Sequence, residues 1–399
     1  MRLVRPNAEV LCLASMSLAC DLTTFVIPLI VGALAAQHGL TDAQTGFVAT
    51  AQLMACALLS FAMVPHVRQL NPRATIALGL AMVALGNALT LIAHGMPLLI
   101  AARLSAGFGE ALVNVVVGVA MAHRRDPDNG FAMINIGITS GAVVVFLIAP
   151  LLDPLVGKDG IFWILAILPV LAFPCVLGIP KGRLAEAVQH HAPERLSQAF
   201  AITLPGAALL LGIVGFGIAG NAIFVFVERI GEGVGVGYQS LVHMLLWVTV
   251  WTAAGPVAAR IIGMRFGRMP VLAVSFLGLA IACPMMGAPP NATVFFIGLN
   301  LGGFALLLAA PFYSGLLVAL DPQGRLITVS RGVLAVGMAI TPGIASLMLL
   351  AGGGFPAMGY WSGVVAVLSL ILVWYANRSI GRQARLPAEP APTPALQLE

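Results

Sequence analysis

Long apolar runs, broken only briefly by polar residues, fill almost the whole chain. A helix needs about 20 apolar residues to cross the hydrocarbon core of a bilayer. Twelve runs reach that length: 10–36, 43–65, 73–94, 96–122, 130–156, 160–179, 200–228, 238–262, 269–288, 293–319, 326–351 and 357–376. Strict alternation of apolar and polar residues, which a membrane β-barrel requires, does not occur in them. The pattern therefore predicts an all-α membrane protein with twelve transmembrane helices. Arg2 and Arg5 precede the first run as in a secretory signal, but the run continues past Asp21 to Ala36. That is too long for a cleaved signal, so an uncleaved first span is expected.

Two segments are polar. One, 180–199, separates the sixth and seventh runs; the other, 377–399, is rich in Pro and Ala and reads as a disordered tail. The expected organisation is a six-helix bundle over 1–179, a linker over 180–199, a second six-helix bundle over 200–376 and the tail. Six spans, a loop and six more spans point to a duplication. Local pairings fit it: Asn221 falls where Asp21 sits in the first half, and Asn300 where Arg103 sits.

Composition sharpens the class. The chain is 60% hydrophobic and 9% charged, against about 25% charged in a typical soluble domain. A soluble fold so made would expose large apolar patches. The net charge of +5 could point to nucleic acid, but the placement of the basic residues gives another reason for it. Of the 20 Lys and Arg residues, all but four fall on the side that carries both ends of the chain. Lys158 and Arg229 lie on the other side, and Arg103 and Arg331 within spans. The positive-inside rule then puts both termini in the cytoplasm of an inner (plasma) membrane. The basic residues act as topological anchors, and no nucleic-acid partner is expected. The five cysteines lie in apolar runs at no metal-binding spacing, so neither metal nor cofactor is expected.

Three local patterns add a resemblance. Arg103 with Gly107 and Gly109 resembles the fourth-span R-x-x-x-G-x-G of the major facilitator superfamily. Asp21 to Pro28, DLTTFVIP, is similar to the D-x-x-x-P-x-x-P opening of its twelve-span drug/proton antiporter branch, with Phe25 in place of the first Pro. Gly255 to Arg268 resembles the superfamily's G-x-x-x-D-R-x-G-R-R loop, with Ala259 in place of Asp. The fifth-span antiporter motif is not present in clean form: Gly137 and Gly141 are there, but no Gly-Pro follows. The resemblance implies the major facilitator fold of two pseudo-symmetric six-helix bundles, transport by alternating access, and a substrate site between the halves.

Ionisable groups inside a bilayer cost about 2.5–3.5 kcal/mol each on insertion scales and mark pathways or pairs. On the fourth span Arg103, Gly107, Glu110 and Asn114 recur at helical spacing and share one face. Asp21 lies near the middle of the first span. A carboxylate whose proton affinity changes with its surroundings loads a proton on one side and releases it on the other. Asp21, tuned by Arg103 and seconded by Glu110, is the expected proton-coupling set. The bland alternative is that Arg103 and Glu110 only pin helices together. Candidate substrate contacts are Asn114, Asn135, Asn221, His243, Trp247, Asn300, Tyr313 and Arg331. Asn87 reads as structural.

No P-loop and no H-E-x-x-H occur, and a non-enzymatic carrier is expected. The leading function is proton-coupled efflux of a small organic molecule by a monomer surrounded by membrane lipid. Uptake of a small organic anion held by Arg103 and Arg331 is the alternative, and a non-transporting sensor on the same fold stands behind it.

Overall fold

The computed structural model describes residues 8–63, 66, 69–122, 127–179, 203–263, 265–321 and 325–383, and helices make up nearly all of them. The first half holds α1 (Ala8–His38), α2 (Asp42–Met63), α3 (Pro72–Ile92), α4 (Met96–Ala122), α5 (Pro127–Val156) and α6 (Gly160–Ala172), the last continued by a 3-10 turn over Phe173–Gly178. The second half holds α7 (Leu204–Phe224), the short α8 (Val227–Gly233), α9 (Tyr238–Thr252), α10 (Ala254–Ile262), α11 (Arg268–Gly287), α12 (Ala292–Leu320), α13 (Arg325–Leu350) and α14 (Gly354–Gln383).

Local chemistry starts several of these helices. Asn71 accepts from the amides of Arg73 and Ala74, with Pro72 in the first turn. Thr203 and Asn291 cap α7 and α12 in the same way. A side-chain oxygen before the first turn satisfies amides that the helix leaves open, and a Pro there sacrifices no hydrogen bond.

Eleven stretches are long and apolar enough to cross a membrane, and one of them, Met133–Gly178, is 46 residues long. At about 1.5 Å per residue that is twice a bilayer. The turn at Gly157–Asp159 divides it into α5 and α6, giving twelve spans in all. The chain is thus an integral multi-pass membrane protein with the twelve-helix architecture expected from its sequence. Three ends differ from that expectation. The seventh span stops at Phe224, so Glu228 lies in the separate helix α8. The eighth is jointed at Ala253 into α9 and α10. The last helix runs on to Gln383, seven residues past the apolar run, with Arg378 stacked on Trp374. The central 180–199 segment falls outside the described residues.

Within the first half, α4 packs on α2 and α3, α1 on α5, and α3 on α6; within the second, α11 packs on α12 and α14, and α7 on α13 and α14. The halves meet where α2 lies on α13 and where α5 lies on α9. These two contacts are mates: a shift of six spans converts the second-with-eleventh pair into the eighth-with-fifth pair. That is the pseudo-symmetry of a duplicated bundle.

An even number of spans places Ala8 and Gln383 at one end of the bundle, here the terminal end. Charged side chains tie the halves together at the far end. Arg229 Nε meets Asp42 Oδ1 at 2.6 Å, and Lys158 Nζ meets Glu228 Oε1 at 2.7 Å. Glu232 joins both cations, bonding Lys158 and, at 2.6 Å, Arg229. Asp42 and Lys158 belong to the first half, the other three to the second. Glu228 is 1% exposed and reaches over α1 at Gly32, where any Cβ would run into its carboxylate. Burial pushes its carboxyl up to about 7, and Lys158 pulls the other way.

This arrangement makes the far end the closed end. Spin labels at the exposed His94 and Gln239, in a cysteine-free background, will report its separation. Glu228→Gln with Arg229→Gln is expected to move the population toward the longer distance by about tenfold, equivalent to about 1.4 kcal/mol. An unchanged distance distribution would show that the ion pairs do not hold this end.

Candidate functional site

The site starts from α4. Its polar residues recur every three or four positions, so they share one face, and that face is turned inward. Arg103 is 0% exposed and Glu110 4%. In such surroundings a guanidinium has no water and must take its acceptors from the protein. Arg103 does so fully on one side. Its Nη2 donates to the Gly86 carbonyl and to Asn87 Oδ1, each at 3.0 Å, and to Thr90 Oγ1 at 2.5 Å. Its Nη1 donates to Gln52 Oε1 at 3.2 Å, and Phe162 lies under the guanidinium at 5.2 Å. The arginine therefore binds α2, α3 and α6 to α4.

Glu110 sits two turns further along the same face. Gln52 Nε2 donates to Glu110 Oε1 at 2.6 Å, and Thr23 of α1 also hydrogen-bonds the carboxylate. One turn on, Asn114 Nδ2 donates to Asp21 Oδ1 at 2.6 Å. Asp21 is half-buried on α1.

Asp21, Glu110 and Asn114 line a cavity of about 650 Å³ between the halves, within the 300–1,000 Å³ range usual for small-molecule sites. α1 contributes Thr24 and Ile27, and α2 contributes Cys56, Ser60 and Phe61. The second half adds Asn221 and Val225, and from α13 Gly332, Ala335 and Met338. The lining on α2, α4 and α13 lies at mid-depth and toward the terminal end, away from the ion pairs. Two prolines interrupt the helix hydrogen bonding at residues of this wall. Pro28 and Pro342 lack the amide hydrogen that would bond the carbonyl four residues back. Those residues, Thr24 and Met338, both line the cavity.

The residues expected from sequence separate into groups. Asp21, Glu110, Asn114 and Asn221 come together at the cavity. Arg103 stands behind it, in the network, and among the described contacts its partners are Gln52, Gly86, Asn87 and Thr90 instead of Asp21. Asn300 bonds the Phe296 carbonyl of its own helix. Asn135, His243, Trp247 and Arg331 are exposed, Tyr313 is half-buried, and none of the five belongs to the lining. Trp247 is 64% exposed, and Trp251, on the same helix face, packs on Phe304. The sequence reading passed over Gln52, Thr23 and Thr90, and took Asn87 only as structural. Uncharged polar residues are common enough in spans that none stands out until the helices are placed together.

Comparison with known proteins follows the same lines. The profile of the Major Facilitator Superfamily matches residues 11–315, well over half of the chain. The chain belongs to the Major Facilitator Superfamily. Solved structures share its fold at low identity. A D-xylose-proton symporter superposes with a TM-score of 0.71 at 17% identity, over 92% of this chain and 96% of that one. The human organic anion transporter MFSD10 gives 0.60 at 18%, over 92% and 100%. The nucleoside transporter NupG gives 0.66 at 12%, over 96% and 100%. No curated protein matches the chain by sequence. As a superfamily member the protein is a membrane transporter of small molecules, a class commonly driven by a coupling ion.

The Arg103 network makes a stability prediction. Arg103→Leu leaves Gln52 Oε1 and Asn87 Oδ1 without their donor, at a cost of about 2–3 kcal/mol. The melting temperature of the detergent-solubilised protein should fall by several degrees, with only partial recovery in Arg103→Lys, whose ammonium cannot reproduce the planar fork. An unchanged melting temperature would contradict a structural role for the network.

Proposed function

We propose that this transporter exports a small amphipathic organic cation in exchange for protons, by alternating access between its two halves. The observation that carries the reading is the chemistry of the cavity wall. Its ionisable lining residues are the acids Asp21 and Glu110, with the thiol of Cys56 beside them; the rest is apolar, amide or hydroxyl, and no Lys, Arg or His is among the described lining residues. Such a wall suits a ligand with an apolar body and a hydrogen-bond-donating positive group. The same carboxylates take protons when the ligand leaves, which couples the two fluxes through competition for one site.

The distribution of Lys and Arg supports a cytoplasmic location of both termini. The cavity then extends toward the cytoplasm and the ion pairs of Asp42, Lys158, Glu228, Arg229 and Glu232 close the outer side. In this state the site faces the cytoplasm, the side from which an exporter loads and into which an importer releases. The similarity of Asp21–Pro28 to the opening of drug/proton antiporters points to export. The alternative of organic-anion uptake finds less support: Arg103 is spent on its network and Arg331 is not in the lining. The monomer remains the expected unit, since both halves of the cavity come from one chain.

A thermal-shift screen at two pH values, covering amphipathic cations, neutral metabolites and organic anions, identifies the ligand class; cations are expected among the hits. Counterflow in proteoliposomes then separates a carrier from a sensor, which binds without exchanging. With a hit in hand, a proton gradient should drive it to accumulate on the acidic side; accumulation on the less acidic side would mean symport and overturn the export reading. Asp21→Asn is expected to abolish gradient-driven movement by at least about tenfold while binding persists. Undiminished driven transport in that variant would reject Asp21 as a coupling group.

A further inference from the structure

Arg103 and Glu110 are seven positions apart on one helix, a separation of about 10.5 Å along its axis. Their side chains are nonetheless connected, through a single residue of another helix. Gln52 is 2% exposed and stands on α2 between them. Its Oε1 accepts from Arg103 Nη1 at 3.2 Å, and its Nε2 donates to Glu110 Oε1 at 2.6 Å.

The orientation of this amide is not free. A guanidinium has donors and no acceptor, so Gln52 must present its oxygen to Arg103. Its NH2 group then faces Glu110, and Glu110 Oε1 is held as an acceptor. A proton arriving at Glu110 is directed to the other oxygen. Arg103 is itself fixed by Asn87, Thr90 and the Gly86 carbonyl, so the direction imposed on Gln52 originates in α3.

The backbone is built to bring Gln52 there. Gly107 lies on α4 between Arg103 and Glu110, and a Cβ at that position would collide with the Gln52 carbonyl. The missing side chain lets α2 lie directly against α4 at this level. Gly107 thus serves as the seat of Gln52, which gives the spacing of Arg103, Gly107 and Glu110 a single physical reason. Gln52 itself does not line the cavity, whereas Glu110 does.

We propose that Gln52 is a positioning residue of the proton site: its amide transmits the fixed orientation and charge of Arg103 to Glu110, which Arg103 does not touch. This rests on the reading that Glu110 takes part in proton coupling. The other groups acting on Glu110 are Asp21 and Thr23 from α1 and Arg103 from α4, and Glu110 in turn acts on the thiols of Cys20 on α1 and Cys56 on α2. Across the cavity, α7 and α13 contribute Asn221 and apolar residues and, among the described residues, no titratable group to the lining.

The experiment is an infrared titration of the carboxyl band of the purified full-length protein, with Glu110→Gln and Asp21→Asn used to assign the two bands. It needs no ligand. Gln52→Met keeps the shape of the side chain and removes both hydrogen bonds. It is expected to move the pH midpoint of the Glu110 band by about one unit and to shift the band frequency. Arg103→Met should also move the midpoint in the native background, but add at most a small fraction of that shift in the Gln52→Met background. Fully additive shifts would overturn the relay, because a through-space charge effect does not need Gln52. Should Arg103→Met fail to fold, Gln52→Met decides alone: an unmoved midpoint overturns the proposal. The proton-coupling reading fails separately, if Glu110→Gln and Asp21→Asn both retain full gradient-driven counterflow.

Discussion

A guanidinium enclosed in an apolar bundle constrains everything around it. Arg103 has no access to water, so its charge has to be met by groups the protein supplies. Those groups come from Gln52 on α2 and from Gly86, Asn87 and Thr90 on α3. Meeting the terminal nitrogens of one side chain therefore fixes α2 and α3 against α4 and turns the polar face of α4 inward. Glu110 and Asn114 follow because they share that face. Asp21 is brought in by Asn114, and the cavity wall of the first half is complete.

The two halves are built alike and equipped differently. Paired contacts of α2 with α13 and of α5 with α9 express the duplication, yet the acids of the cavity come from the first half alone. In the second half Asn221, paired with Asp21 by the sequence, lines the cavity, and both it and Asn300, paired with Arg103, donate to a carbonyl of their own helix. Around the cavity, one half thus carries the acids and the other an amide among apolar residues. At the far end the asymmetry becomes complementarity. Asp42 and Lys158 of the first half meet Arg229, Glu228 and Glu232 of the second, so closure there depends on charges and the opposite end is left to the cavity.

The architecture was legible because bilayer thickness imposes a length on every span, and apolar runs record that length directly. The inward face of α4 was legible too, since Arg103, Glu110 and Asn114 recur at helical spacing and a lipid-facing stripe of that kind is untenable. What the sequence could not disclose was partnership. Asp21 and Arg103 are both ionisable and in spans, which made them natural partners on paper; depth and direction instead give Asp21 to Asn114 and Arg103 to Gln52. His243 and Trp247 are four positions apart on one helix and so share a face, but which way that face points is decided by the neighbouring helices. The joints at Phe224 and Ala253 lie inside continuous apolar runs, where hydropathy carries no signal. Lys158 and Glu232 look like ordinary loop charges, and Glu228 like the end of the seventh span, until segments from different halves are seen to meet.

The proposed exchange rests on one competition, between a positively charged ligand and protons for the carboxylates of Asp21 and Glu110. It is tested most directly by counting hydrogen ions. When an amphipathic cation identified by thermal shift is added to the purified protein in weakly buffered solution, about one proton should be released per cation bound, and the release should vanish in the Asp21→Asn, Glu110→Gln double variant. Binding of the cation with no proton released from the native protein would contradict the competition, and with it the coupling.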